Sequence, residues 1–235
     1  MSDPAPRAVL ERGDVEVHGR IAGSSNATLL VTCRLDGDEL LAIYKPVAGE
    51  RELWDFPAGL DRREVAAHRL SEVLGWGLVP ETVLRRDAPF GPGSLQRVVA
   101  EDGVSHYFTL RDEARWQPVL RRIAAFDVVA NNADRKSGHV LLAEDRLWAI
   151  DHGLTFHVEP KLRTVIWDFA GEAIDDALAE DLERFVRAPL PADLAALLCD
   201  DERRALVARA HALLDDGVLP TPGPEHHRPY PWPLV

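Results

Sequence analysis

The sequence predicts an α+β fold, with a β-rich N-terminal part feeding a mainly helical C-terminal part. Three observations carry this. Between residues 14 and 45, apolar and polar residues alternate in short runs. At 62–74, and again after Pro118, the apolar spacing becomes helical. An acidic glycine turn at Glu101-Asp102-Gly103 separates the two halves. At 235 residues the chain is one large domain or two small ones, and its 46% hydrophobic content is ordinary for a packed core.

Residues 14–21 alternate, 22–27 (AGSSNA) make a small polar turn, and 28–35 form a second strand. The turn 36–39 (DGDE) leads to a third strand at 40–45, which Pro46 stops. The stretch 46–60 is irregular, with two prolines and two glycines. A helix is expected at about 62–74, with Asp61 as N-cap and Val65, Ala66, Leu70, Val73 and Leu74 on one face. Strands are expected at 78–86 and 94–102. Pro118 suits a helix first turn, and Val119, Leu120, Ile123, Phe126 and Ala130 give that helix a buried face ending near Asn131–Asn132. Further helices are expected at 173–187, 191–199 and 201–215. The Pro-rich end reads as an extended surface segment.

Charge narrows the function. Lys and Arg total 27 against 39 Asp and Glu, a formal net charge of −12. This argues against a free-standing nucleic-acid binder and against a domain held on anionic membranes. No apolar run reaches the ~18 residues of a membrane span, and the polar start does not read as a signal peptide. Cys33 and Cys199 are too few and too far apart for a disulfide framework or a zinc site, so a reducing cytoplasm is expected. Only Lys45, Lys136 and Lys161 among the basic residues are lysines. An ammonium on a flexible stem differs physically from a guanidinium fork, so these positions are candidates for tasks arginine does not serve.

The chemistry concentrates in 131–157. VLLA (140–143) and LWAI (147–150) flank Glu144-Asp145-Arg146. A three-residue loop would pair Ala143 with Leu147, Val140 with Ile150, and His139 with Asp151, whose Cα atoms would lie ~4.5–5.5 Å apart. Asp134 lies in the segment feeding this hairpin. Two carboxylates and an imidazole at a strand mouth can hold a divalent cation or do base chemistry. The alternative is that both aspartates are ordinary loop residues.

The pattern N-x-D-R, a hairpin, then I-D-H-G-L-x-F resembles the atypical kinases. It is most similar to type II phosphatidylinositol 4-kinases and the related actinobacterial phosphatidylinositol 3-/4-kinase-like proteins, and more distantly to HipA-type kinases. The resemblance spans about residues 20–170 in order: YKP (44–46), DRREVAAHRLSEVLGWGLVPET (61–82), GPGSLQRVVAEDG (91–103), NNADR (131–135) and AIDHGLTF (149–156). It implies a small bilobal protein-kinase-like fold: an N-lobe at 1–103 with an antiparallel sheet and one helix, a helical C-lobe at 104–220, and a tail at 221–235.

The resemblance implies that Lys45 binds the α- and β-phosphates of ATP and that Glu64 pairs with it. Asp61-x-x-Glu64 also has capping-box spacing, a competing use of Glu64. Ser24 and Ser25 would cover the phosphates, or simply form a polar turn. Val99, Ala100 and Glu101 would be the hinge that meets adenine through the backbone. Asp134 would accept the acceptor's hydroxyl proton, Lys136 would steady the γ-phosphate and Asp151 would bind the metal, Mg²⁺ or Mn²⁺. Arg135 would neutralise phosphate or brace its loop. His139 stands where the family has a metal-binding Asn. Imidazole suits Mn²⁺ better than Mg²⁺. His139 would then ligate Mn²⁺, leave Asp151 as the sole protein ligand, or mark a site that binds nucleotide without turnover. Lys161 and Arg163 would meet an anionic acceptor or lie in a solvated loop with Trp167 packed in the core.

The expected activity is transfer of the ATP γ-phosphoryl group to a hydroxyl acceptor whose identity the sequence leaves open. The rival readings are a nucleotide-binding pseudokinase and a metal-dependent phosphohydrolase built from Asp134, His139 and Asp151. No Walker A, GxGxxG, GxSxG, HExxH or CxxC pattern occurs.

Overall fold

The computed structural model describes residues 6–21, 26–223 and 228–234. The phosphate-covering residues expected at Ser24 and Ser25 lie outside them. Helix α1 (Pro6–Arg12), which periodicity over so short a segment does not announce, opens the described chain. Strands β1 (Asp14–Arg20), β2 (Leu29–Leu35) and β3 (Asp38–Pro46) follow, then helix α2 (Leu60–Val73) and strands β4 (Thr82–Arg85) and β5 (Gly93–Arg97). These strands form one antiparallel sheet in the order β1-β2-β3-β5-β4.

Period-2 alternation sets the two sheet faces. Val31 and Cys33 of β2, and Ala42 and Tyr44 of β3, point to the face covered by Val9 and Leu10 of α1. Leu41, Ile43 and Lys45 alternate to the other face. Strand β4 is shorter than the expected 78–86 because Pro80 cannot donate a ladder bond and the Leu78 carbonyl is already taken by the Ala149 N–H (2.8 Å). Strand β5 stops at Arg97, where the chain turns into the link through Val99.

The second half holds α3 (Tyr107–Leu110), α4 (Gln117–Ala130), the hairpin β6 (Val140–Ala143) and β7 (Arg146–Ala149), then α5 (Asp176–Arg187), α6 (Ala192–Ala195) and α7 (Asp200–Asp216). Asn131 ends α4 in the left-handed region at φ 54°. A large core joins α4, α5, α6, α7 and the hairpin. The apolar face of α2 belongs to this core. Among the described residues, no helix is long and apolar enough to cross a membrane.

Two local expectations are corrected. The hairpin loop has two residues, Glu144 and Asp145, both at left-handed φ (55° and 54°), the geometry of a type I′ turn. Pairing therefore runs Ala143–Arg146 to Val140–Ala149, and His139 lies opposite Ile150 rather than Asp151. Asp61 does not cap α2. The helix starts two residues earlier than expected, at Leu60 after Gly59 at φ 95°, and the Glu50 carboxylate accepts the N–H groups of Gly59 and Asp61, each at 3.2 Å. Glu64 then lies in the second turn, free of any capping duty.

Candidate active site

Lys45 is the last residue but one of β3 and lies on the sheet face opposite the one α1 covers. Its Nζ donates to Glu64 Oε1 and, at 2.7 Å, to Asp151 Oδ1. Three residues far apart in sequence thus meet at one ammonium. Glu64 is 3% exposed, and its second oxygen accepts the His152 N–H at 2.9 Å. Asp151 takes φ 60°, a left-handed conformation Asp tolerates better than most residues. Its side chain is 48% exposed and faces a cleft also lined by Asn26, Asp134 and Leu154.

Charge follows from this arrangement. The Lys45 ammonium, with His139 nearby, holds the Asp151 carboxyl well below the usual range although burial opposes it. Burial works to lower Lys45, but Asp151 and Glu64 together outweigh it and keep the amine protonated. Burial pushes Glu64 up against the pull of Lys45.

Asp134 lies across the cleft, with Lys136 Nζ 3.1 Å from its Oδ2. Burial pushes Asp134 up to about 6, with Lys136 offsetting part of the effect. Its own N–H donates to Asn132 Oδ1 at 3.0 Å. His139 Nε2 is 3.4 Å from Asp151 Oδ2, and its Nδ1 faces the Lys136 N–H at 3.4 Å. Burial lowers His139 to about 4, so the ring is neutral near pH 7. This network favours a proton on Nε2. Ligation of a metal through Nε2 requires the other tautomer, which would set an N–H against the Lys136 amide. Among the described residues, no group of three or more His, Cys, Asp or Glu converges on one point. A half-exposed, ionised Asp151 suits Mg²⁺ or Mn²⁺ arriving with phosphates, a mode that needs only one or two protein carboxylates.

Other expected residues fall elsewhere. Val99, Ala100 and Glu101 link β5 to the second half, with Val99 packed on Trp148 and Glu101 bridging Ala143, and they do not line the Lys45 cavity. Lys161 and Arg163 turn to Asp55, at 3.8 and 3.3 Å, and so tie the irregular segment before α2 to the loop after Asp151. Trp167 is half-buried rather than in the core, its indole N–H donating to the Pro229 carbonyl at 3.0 Å. The C-terminal segment, expected to be extended, bends repeatedly over 228–234 and is anchored to the second half. The Thr164 N–H donates to Pro229 and the Ser137 N–H to Leu234, at 3.0 and 2.9 Å.

The residue that organises the site is Arg135, which is fully buried and therefore braces its loop. Its Nε and Nη2 donate to Asp127 on α4 at 2.9 Å each. Its Nη1 donates to the carbonyls of His139 (3.2 Å) and Ile150 (2.9 Å), and Nη2 meets His152 Nε2 at 2.7 Å. All five guanidinium N–H groups have acceptors. Burial and Arg135 keep His152 neutral. Asp127 also accepts Asn132 Nδ2 at 2.9 Å, which fixes the residue that holds the Asp134 amide. The sequence carries one unread signal for this: an aspartate in the apolar run FDVVA, eight residues before an arginine.

No protein-family model matches the chain. It is 42% identical over 264 residues to Protein Rv2133c of Mycobacterium tuberculosis, covering 96% of this chain and 94% of that protein. The chain belongs to the family of that protein. Among solved structures, it superposes on the Golgi casein kinase with a TM-score of 0.59 at 15% identity, over 89% of this chain and 72% of that one. For the Golgi casein kinase with Mn/ADP bound the TM-score is 0.57 at 14% identity, over 96% and 78%. For the Helicobacter pylori proinflammatory kinase CtkA it is 0.51 at 10% identity, over 89% and 94%. These likenesses establish a kinase-like fold.

Proposed function

We propose that this protein is an ATP- and metal-dependent phosphotransferase of the atypical kinase type, acting on a hydroxyl acceptor. The observation that carries the reading is the double contact of Lys45 with Glu64 and Asp151, facing Asp134 and Lys136 across one cleft. The ordered motifs further suggest a relation to type II phosphatidylinositol 4-kinases and their actinobacterial relatives, with lobes at 1–103 and 104–220 and a tail at 221–235. Fold likeness alone does not carry function, so the reading rests on these side chains.

In this reading Lys45, placed by Glu64, binds the α- and β-phosphates. Asp151 is the main protein ligand for Mg²⁺ or Mn²⁺, and His139 is the second candidate once its tautomer shifts. A bound divalent ion supplies neutralisation of phosphate charge. Asp134 takes up the acceptor's hydroxyl proton, and its raised pKa makes it a better base than an exposed aspartate would be. Lys136 holds Asp134 in place and faces the transferred group. Val99–Glu101 meet the base through backbone groups, and Ser24 and Ser25 cover the phosphates. A protein, an inositol lipid or a small metabolite are the acceptor classes in play. The −12 charge disfavours a nucleic-acid partner and docking on an anionic membrane surface.

The test is calorimetric titration of ATP with Mg²⁺ and, separately, Mn²⁺, on the wild type and on Asp151→Ala. Metal-dependent binding that the variant loses is expected. No binding with either metal refutes the proposal. Binding without transfer to any acceptor or to the protein itself selects the pseudokinase reading, for which His139 in place of Asn is the motivating feature.

A further inference from the structure

Helix α2 carries Glu64 and lies against β4 and β5, yet its buried apolar face also joins the core of the other half of the molecule. Ala66, Ala67, Leu70 and Leu74 lie in the large core with Leu120, Ile123 and Phe126, whereas the core between α1 and the sheet contains no α2 residue among those described. Arg63 and Arg69 of α2 are tied to that half as well. Arg63 is 4% exposed; its Nη1 donates to the Thr155 carbonyl at 2.5 Å and its Nη2 to Glu202 on α7. The other oxygen of Glu202 accepts the Cys199 N–H at 2.9 Å. Further along, Arg69 reaches Asp193 on α6, and past the helix end the Leu74 carbonyl accepts Arg184 of α5 at 3.0 Å.

Thr155 stands four residues after Asp151, and its hydroxyl donates to the His152 carbonyl at 2.6 Å. One guanidinium thus touches both the C-terminal half and the loop that presents Asp151. If α2 swung away, the Glu202 carboxylate would lose its ionic partner and keep only the Cys199 N–H, and the Thr155 carbonyl would lose its guanidinium donor, both in a buried place.

We propose that Arg63 is a positioning residue: with Glu202 it locks α2 onto the C-terminal half, so that Glu64 stands ready for Lys45 before nucleotide arrives. This rests on the phosphotransferase reading above. Such a site needs no activating partner to bring its helix in.

The experiment combines Mn²⁺–ADP calorimetry, amide hydrogen exchange over 60–73 and thermal melting, on wild type, Arg63→Met, Arg63→Lys and Glu202→Gln. Wild-type α2 amides are expected to be protected equally with and without ADP. Arg63→Met, measured where it is folded, is expected to exchange faster in α2 and to bind ADP about tenfold more weakly, because a smaller fraction is competent. Arg63→Lys should recover part of both. Unchanged affinity and exchange in Arg63→Met, or wild-type α2 protection that appears only with ADP, overturns the inference. Should Arg63→Met not fold, Glu202→Gln, which keeps an acceptor for Cys199, decides by the same criteria. A wild type that binds no ADP refutes the phosphotransferase reading instead, and the lock is then judged by exchange alone: faster exchange in the variants supports it, and no change overturns it.

Discussion

Arg135→Met is the most demanding test of how the site is held. The methionine fills similar space but supplies none of the five N–H donors. Asp127, fully buried, keeps only the Asn132 amide as partner. The Ile150 carbonyl loses its Nη1 donor and His152 Nε2 its Nη2 donor, while the His139 carbonyl retains the Ile150 N–H at 3.0 Å. Stranding one member of a buried ion pair costs about 3–5 kcal/mol. In a domain of this size each kcal/mol moves the melting temperature by about 2–4 °C, so a fall of about 6–20 °C is expected. Scanning calorimetry measures it, with Arg135→Met/Asp127→Leu as the companion. Removing the stranded carboxylate should return at least about 1 kcal/mol. A single variant within about 1 kcal/mol of wild type would show that Arg135 is not the organising group.

Asp134 gives a pH prediction. Its folded pKa of about 6 lies above its ordinary 3.8, so the folded state holds the proton more tightly than the unfolded chain does. Its contribution to stability is therefore favourable at low pH and is lost as pH rises from about 4 through about 6. Asp134→Asn should melt a few degrees above wild type at pH 7, match it at pH 4, and transfer no phosphate; a variant less stable at pH 7 contradicts the burial argument. Deleting 228–235 removes the acceptors of the Ser137, Thr164 and Trp167 N–H groups. At about 1 kcal/mol per bond this should lower the melting temperature by about 6–12 °C and speed exchange at 137 and 164; an unchanged melting curve would show the tail to be dispensable.

Alternation and helical spacing, which depend only on neighbours in the chain, disclosed β1–β3, α2 and α4 within a few residues. The same local rules failed where a distant partner intervened. Leu78 reads as strand with its neighbours, but its carbonyl serves the hairpin of the other half. Asp61 reads as an N-cap, but Glu50 reaches the helix start first. The hairpin was legible and its register was not, because two- and three-residue loops differ by one position and the sequence Glu-Asp-Arg suits either.

By itself the sequence determined which residue types are available for the proposed phosphate chemistry and in what order: Lys45, Glu64, Asp134, Lys136 and Asp151. Tertiary structure decided how they meet. Lys45 faces Glu64 and Asp151 because β3 alternates its side chains about a sheet whose opposite face α1 covers, and because α2 is held by the helical core. The tertiary structure also turned Arg135 inward and paired Arg63 with Glu202, 139 residues away. A charged side chain in a sequence gives no sign of whether water or a buried carboxylate will solvate it. That depends on which surfaces the folded chain closes over it, and the folding of distant segments settles it.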